Sequence, residues 1–379
     1  MKILNFIIYS KNIINQSCFY KLALWMSMVL FIVNHNFAQT SKKVSWGQAQ
    51  RQNQEWYGSD EAVRIAENVL LYQNNNGGWL KNIDMANELD DRERSKLKKE
   101  KSKKTGTTID NNATHTQMRY LAKVYGQTGM EEFKEGFLKG LDYLLEAQYD
   151  NGGWAQYYPE RKGYYEHITF NDHAMIGVMS ILKDISDEVS PYEFVEASYK
   201  KRIDLALEKG VEVILKMQII VDGELTAWCA QHNRHDLRPA KARAYELPSI
   251  SGGESVGVVG FLMSLDDPSP EVQKAIENAV AWFEKVKIEG IKVVKKEDKS
   301  LEKGYDRIVV EDAENSQPLW ARFYEIGTNR PMFVGRDGIV KYKLSEIEHE
   351  RRVGYSYLGN YAEKLLEKDF PNWKAKLDM

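Results

Sequence analysis

The chain has two cysteines in 379 residues, and Cys18 lies in an amino-terminal stretch that stands apart from the rest. Cys229 is therefore alone in the remainder, which excludes an intramolecular disulfide and a cysteine-ligated zinc there. Histidine offers no zinc site either: His115, His173, His232 and His235 show no spacing such as HExxH. Excess charge of one sign is also missing, since 52 basic and 55 acidic side chains leave a net −3. That balance gives no reason to expect a nucleic-acid partner. Long apolar runs are lacking too. The run Leu22–Val33 follows Lys21 and leads to small residues near Ala38. It falls short of the roughly 20 residues of a membrane span and reads as a secretory signal. The twenty residues before it are long for such a signal, so a later start or a retained anchor stays open. Residues 1–39 are set apart as the signal or amino-terminal segment, and residues 40–379 as one domain. The mature chain is expected to be secreted or periplasmic, or held at the cell surface, with no membrane span of its own.

What the chain does have is an internal repeat. Asp60–Tyr72 places Ala62, Ile65, Ala66, Val69 and Leu70 on one helical face and runs into QNNNGGW, Gln73 to Trp79. Leu138–Ala147 is again helical and runs into Gln148 and a second NGGW ending at Trp154. Leu205–Met217 is helical and runs into Gln218 and, further on, Trp228. The three glutamines stand 75 and 70 residues apart. Each unit reads helix, glycine turn, tryptophan, loop, helix. Glycine permits a positive φ where a helix ends, and the tryptophan is expected to pack back across the hairpin end. The second helices also open alike, with TIDNNA at 108–113, TFNDHA at 169–174 and, more loosely, SISGGE at 249–254.

Repeated helical hairpins stack as an open solenoid or close into an α/α toroid. Tryptophan-containing turns at one end favour the toroid. The predicted class is all-α, mainly helical: an α/α toroid of repeated hairpins with a short β-hairpin in residues 288–310. The lysine-rich stretch Leu89–Lys104 reads as an exposed mobile loop. Leu319–Glu325 reads as a short apolar-aromatic run, and Ser345–Arg352 and Tyr357–Glu367 as closing helices.

Two constellations carry chemistry. Asp110, Asn111, Asn171 and Asp172 sit where helices open. Capping stabilises a helix by about 1 kcal/mol and explains one such residue per helix, not two acid/amide pairs at equivalent places. Brought to one rim, Asp110 and Asp172 could share a hard cation through oxygen. The second constellation is Gln231–Glu254, with Arg234, Arg238, Lys241, Arg243, His232 and His235. By itself it reads as a solvated charged loop. Opposite an acidic metal-binding rim it suits a carboxylated substrate, because arginine grips carboxylate bidentately. A polyuronate carries a carboxylate on every sugar and is cleaved by β-elimination. A base takes the proton next to the carboxylate, and the C4 oxygen leaves. Positive charge on the carboxylate stabilises the carbanion. Arginine, with an ordinary pKa of about 12.5, becomes a base only where cations and desolvation favour its neutral form.

Taken together, several segments resemble polysaccharide lyase family 10, the pectate lyases with an α/α toroid fold. They are NGGW (76–79), TIDNNATHTQMRYLA (108–122), NGGWAQYYP (151–159), ITFNDHAM (168–175), AWCAQH (227–232), RPAKARAYELPSISGGES (238–255) and GTNRPMFVGRDG (327–338). The resemblance spans about residues 45–370. It implies cleavage of (1→4)-α-D-galacturonan (pectate) by Ca2+-assisted anti β-elimination with an arginine base, giving 4,5-unsaturated oligogalacturonides. By motif, Asp110 and Asn111 resemble the acidic pair near the metal and the substrate carboxylate, and Asp172 resembles a calcium ligand. Arg243 is the first choice of base and Arg238 the second. Lys241 would hold substrate or lower the base's pKa. Arg330 resembles the arginine on the substrate carboxylate, with Arg336 a further candidate. The enzyme is expected to act as a monomer. Two alternatives remain on the residues alone. One is a glycoside hydrolase using Asp110 and Asp172 as acid and base, which leaves the arginine loop without a role. The other is a non-catalytic polyuronate-binding protein.

Overall fold

The computed structural model describes residues 44–103, 105–314 and 316–377, so the segment assigned to 1–39 lies outside the described residues. In chain order the α-helices are α1 (Trp46–Ala49), α2 (Asp60–Tyr72), α3 (Asp91–Glu100), α4 (His115–Thr128), α5 (Glu131–Glu146), α6 (Ala174–Ser186), α7 (Ala197–Met217), α8 (Glu254–Met263), α9 (Pro270–Lys285), α10 (His349–Gly354) and α11 (Phe370–Leu377). The repeat sorts most of them into two packed rows. One row runs α2, α5, α7, α9, and the other runs α4, α6, α8. Each helix of the second row packs against the first. Helix α6 has neighbours on several sides, which is why Met175, Ile176, Val178, Met179, Ile181 and Leu182 are all buried.

Three residue types hold each unit to the next. The tryptophan indole donates back to a carbonyl of the preceding helix: Trp79 to Val69, Trp154 to Leu144 and Trp228 to Ile214, each at 2.8 Å. All three rings are fully buried, and truncating one to alanine would cost about 3–5 kcal/mol. The glutamine amide bridges its own turn to the next first-row helix. Gln73 donates to Gly77 and Gly136, Gln148 to Gly152 and Ala206, and Gln218 to Thr226 and Ala275, all at 2.8–3.0 Å. Gly77 and Gly152 sit at φ 91° and 96°. A Cβ there would lie 2.0 Å from the Lys139 carbonyl oxygen or 2.1 Å from that of Lys209, so only glycine fits.

The structure adds a fourth unit. After α9, Trp320 donates its indole N–H to the Phe283 carbonyl at 2.9 Å, as in the other three units. Its strand, Trp320–Ala321, pairs antiparallel with Leu358–Gly359, from which the chain reaches a π-helical turn at Leu365–Asp369 and then α11. Residues 322–357 are inserted between those two strands and interrupt the spacing that marks the first three units.

The expected class, an all-α toroid with one short β-hairpin, is corrected. The described residues carry six two-stranded antiparallel sheets, so the chain mixes helix and strand. Ile291–Glu297 pairs with Tyr305–Glu311 as the predicted hairpin. The other five sheets have two-residue strands, several joining distant segments, such as Ile168–Thr169 with Gln231–His232 and Ile250–Ser251 with Phe323–Tyr324. Two residues are too few to show the alternation that reveals a strand. Two local expectations also change, and one run gains an assignment. The stretch expected as a mobile loop instead holds α3 at Asp91–Glu100, opened by a capping box in which Glu93 N–H donates to Asp90 (2.7 Å) and Asp90 N–H to Glu93 (2.9 Å). Leu319–Glu325 splits into two short strands, Trp320–Ala321 and Phe323–Tyr324. The stretch Tyr357–Glu367, expected as a closing helix, holds the strand Leu358–Gly359, because its backbone pairs with Trp320–Ala321.

Candidate active site

The helix openings of the second row meet at one place. A 3-10 turn at Asp110–Asn112 packs against a 3-10 turn at Asn171–His173, and the latter also touches the start of α8. Both turns use left-handed backbone: φ is 50° at Asn111, 60° at Asn112, 51° at Asp172 and 60° at His173. Asn and Asp tolerate that region better than other side chains, which explains their choice beyond capping. The matching dihedrals set the true equivalence. Asn111 corresponds to Asp172, and Asp110 to Asn171, so the acid and amide are exchanged between units. Thr114, at φ 67°, is strained for a β-branched residue. Its hydroxyl holds it by donating to the Thr108 carbonyl (2.8 Å) and accepting from Trp79 N–H (3.2 Å).

Asp110 is buried and one of its oxygens is bound by the Lys81 ammonium. The other, Oδ1, is buried with no hydrogen-bond partner. The Asp172 carboxyl accepts from the Asn171 amide at 2.7 Å. Loss of water pushes its pKa up, and the charges of Asp110 and Glu254 add to this, while Arg322 and Arg243 oppose it. A desolvated carboxylate at Asp172 and a buried one at Asp110 with an orphaned oxygen fit a hard cation bound through oxygen. Among the described residues no group of three His, Cys, Asp or Glu is poised on one point. The protein therefore offers two carboxylates and neighbouring amides, with further oxygens left to substrate and water.

The cationic side contains an arginine that the motifs did not single out. Arg322 donates to the Asn171 side chain (3.2 Å) and pairs with Glu254, and its ring neighbour is Tyr355 at 4.6 Å. Burial works against its charge, but Glu254 and other nearby groups outweigh that and raise its pKa. Its Nε–H is buried without an acceptor. Arg322 lies in the apolar-aromatic run Leu319–Glu325, and its lone positive charge there is the one signal that marks it. Glu254 reads in the sequence only as the end of the third helix opening.

Arg243 also acts electrostatically on Asp172. Its guanidinium forms a fork with Glu246, with Nε at 2.7 Å, and lies 5.0 Å from the Tyr245 ring and 6.0 Å from Tyr355. The Tyr355 hydroxyl donates to Glu246 at 3.1 Å. The Glu246 hydrogen bond drives the Arg243 pKa upward, so this arginine is held cationic. The remaining candidates are less central. Arg336 pairs with Glu350 (3.0 and 3.2 Å) at the edge of the same cluster, 5.8 Å from the Tyr245 ring. Asn111 donates to Asn82 at 2.9 Å beside the Asp110 turn. Lys241 and Arg238 are exposed, with no side-chain hydrogen bond or ion pair among the described residues. Arg330 stacks on Tyr342 at 3.6 Å, next to Glu325, and is not brought to the cluster. Of the loop histidines, His232 is a buried structural group: it accepts from Cys229 N–H (3.0 Å) and faces the Leu237 carbonyl (2.9 Å). Cavities of about 560 and 670 Å³ lie elsewhere, lined by Tyr57 and Phe194 and by Ile308 and Leu344, while one of about 490 Å³ borders the Asp110 turn at Lys81, Asn82 and Asn111.

Comparison with known proteins shows the family. Residues 73–366 match the pectic acid lyase family. Similar solved structures include a family 10 polysaccharide lyase from Cellvibrio cellulosa, at 36% identity and TM-score 0.72, covering 84% of this chain and 94% of that one. An aspartate-to-alanine variant of a Cellvibrio cellulosa family 10 lyase, in complex with trigalacturonic acid, matches at 35% identity and TM-score 0.72, covering 84% of this chain and 95% of that one. No curated protein sequence matches. With a carboxylate pair and an arginine cluster gathered at its helix openings, and with these relatives, the chain belongs to polysaccharide lyase family 10, the pectic acid lyases, and is a polysaccharide lyase.

Proposed function

We propose that the chain cleaves (1→4)-α-D-galacturonan by calcium-assisted anti β-elimination and releases 4,5-unsaturated oligogalacturonides. The observation that carries this reading is one cluster in which Asp110 and Asp172 face Arg322 and Arg243. The orphaned oxygen of Asp110 and the orphaned Nε–H of Arg322 are an acceptor and a donor awaiting partners. A uronate with its cation supplies both. Asp110 and Asp172 would hold the ion, with Asn111 beside them. An ion held there would supply Lewis-acid chemistry, drawing electron density from the substrate carboxylate and so acidifying the adjacent C–H.

Arg322 donates to the same carboxylate and stabilises the negative charge that builds there. Arg243 takes the C5 proton, and the electron pair becomes the C4=C5 double bond. The C4–O bond breaks, and the leaving oxygen ends as a hydroxyl with a proton from solvent. The pair with Glu246 opposes this role, because it holds Arg243 charged at rest. Loss of water around the guanidinium when substrate covers it acts the other way. Arg238, the second candidate, has no comparable link to Asp172. Lys241 and Arg336 extend the positive rim toward neighbouring sugars. Nothing in the geometry supports a substrate role for Arg330. The lyase is proposed to act outside the cytoplasm as a monomer; among the described residues no helix is long and apolar enough to cross a membrane.

The test is absorbance of the unsaturated product on polygalacturonate, with calcium and with a chelator. Product only in the presence of calcium is expected. Saturated reducing ends that form regardless of chelator would favour the glycoside hydrolase instead.

A further inference from the structure

The loop from Tyr157 to Tyr165 carries a cation that the reaction above does not use. Its base is stapled to the segment that leads into Asp110. Tyr158 N–H donates to the Thr107 carbonyl (3.3 Å), the Thr107 hydroxyl to the Tyr158 carbonyl (2.5 Å), and Ile109 N–H to the Gln156 carbonyl (3.1 Å). Gln156 N–H donates to the Tyr165 carbonyl at 3.3 Å and closes the loop. The loop therefore stands at the rim of the site. Tyr157 is within electrostatic reach of Lys81, the partner of Asp110, and Tyr164 is within reach of Arg243 and Glu246.

On this frame the tyrosines form a platform. The rings of Tyr164 and Tyr165 lie 4.0 Å apart, and Tyr157 meets Tyr165 edge-on at 5.4 Å. The Arg161 guanidinium lies 4.2 Å from the Tyr165 ring and 5.6 Å from that of Tyr157. Arg161 is exposed and has no carboxylate partner among the described residues. Arg234, Arg243, Arg322 and Arg336 each have one. The neighbouring acid, Glu160, is occupied by Arg234. A guanidinium fixed over aromatic faces with its donors free is preorganised for a planar anion. Tyrosine faces beside it suit the apolar face of a sugar ring.

We propose that Arg161 and its tyrosine platform bind the carboxylate of a further uronate residue, beyond the sugar held at Asp172 and Arg322. This subsite rests on the lyase reading above and deepens it. It gives the enzyme a second, calcium-independent grip on a charged glycan chain.

Kinetics on polygalacturonate with Arg161→Ala and Arg161→Lys test it. In Arg161→Ala, KM is expected to rise about fivefold with kcat unchanged, the size of one solvent-exposed charged contact. Arg161→Lys should recover part of the loss. The rise of KM with added NaCl should become shallower in Arg161→Ala, because one cation–anion contact has gone. A KM and salt dependence equal to wild type overturn the proposal, as does a fall in kcat at unchanged KM. Calorimetric titration with hexagalacturonate in an Arg243→Ala background separates the subsite from the reaction. A weaker Kd on adding Arg161→Ala supports the subsite even if wild type forms no unsaturated product. Equal Kd values overturn it.

Discussion

Glu246→Gln asks whether Arg243 is the base or only a positive anchor. The carboxylate of Glu246 is buried at 4% exposure, while Arg243 is 41% exposed. Two unit charges about 4 Å apart attract by roughly 4 kcal/mol at an effective dielectric of about 20. Exposed pairs measure below about 1 kcal/mol. This half-exposed pair belongs between the two, at about 1.5–2 kcal/mol, or a little over one pKa unit. The sign follows from charge: Glu246 raises the Arg243 pKa, so removing the carboxylate lowers it. With its amide oxygen at the Oε1 position, glutamine can still accept from Arg243 Nη2 and from the Tyr355 hydroxyl, and it loses the acceptor of the Arg243 Nε–H. If Arg243 takes the proton, more of it is neutral at any pH below its pKa. The rising alkaline limb of kcat/KM should then move about one unit toward lower pH. The assay is initial rate of unsaturated product across pH at saturating calcium. A limb that stays where it is, with turnover intact, refutes the base assignment and leaves Arg243 as a carboxylate anchor.

Asp172→Asn should raise the calcium concentration needed for half-maximal activity by about tenfold or more, read from rates against free calcium; an unchanged requirement removes Asp172 from the metal site. Folding stability should fall in mild acid. Burial pushes the His232 pKa down to about 4, against an ordinary value near 6.5, so the unfolded chain binds the extra proton in that window. Stability is full above pH 6.5 and is lost as pH falls toward 4, by about 2 kcal/mol at pH 5 from this residue alone. Equal denaturation midpoints at pH 7 and pH 5 would refute it. Gln148→Ala leaves the Gly152 and Ala206 carbonyls without their donor and should lower unfolding free energy by about 2–3 kcal/mol, with activity per folded molecule retained.

The sequence alone determined the repeat, and it showed the reason for the glycine and the tryptophan; the structure supplied the reason for the glutamine. Glutamine, glycine and tryptophan recur because each meets a local need. Glutamine bridges to the next helix, glycine takes a positive φ, and the indole folds back on the helix just ended. The sequence also marked Asp110 and Asp172, because acid and amide side chains at helix openings are conspicuous when they recur. Tertiary structure decided the rest. Two-residue strands exist only where distant segments meet, so no local pattern announces them. The fourth unit was hidden because residues 322–357 separate Trp320 from the strand it pairs with. Arg322 entered the site for the same reason. Its neighbours Asn171 and Glu254 are 151 and 68 residues away, and only the folded chain brings that charge to the carboxylates.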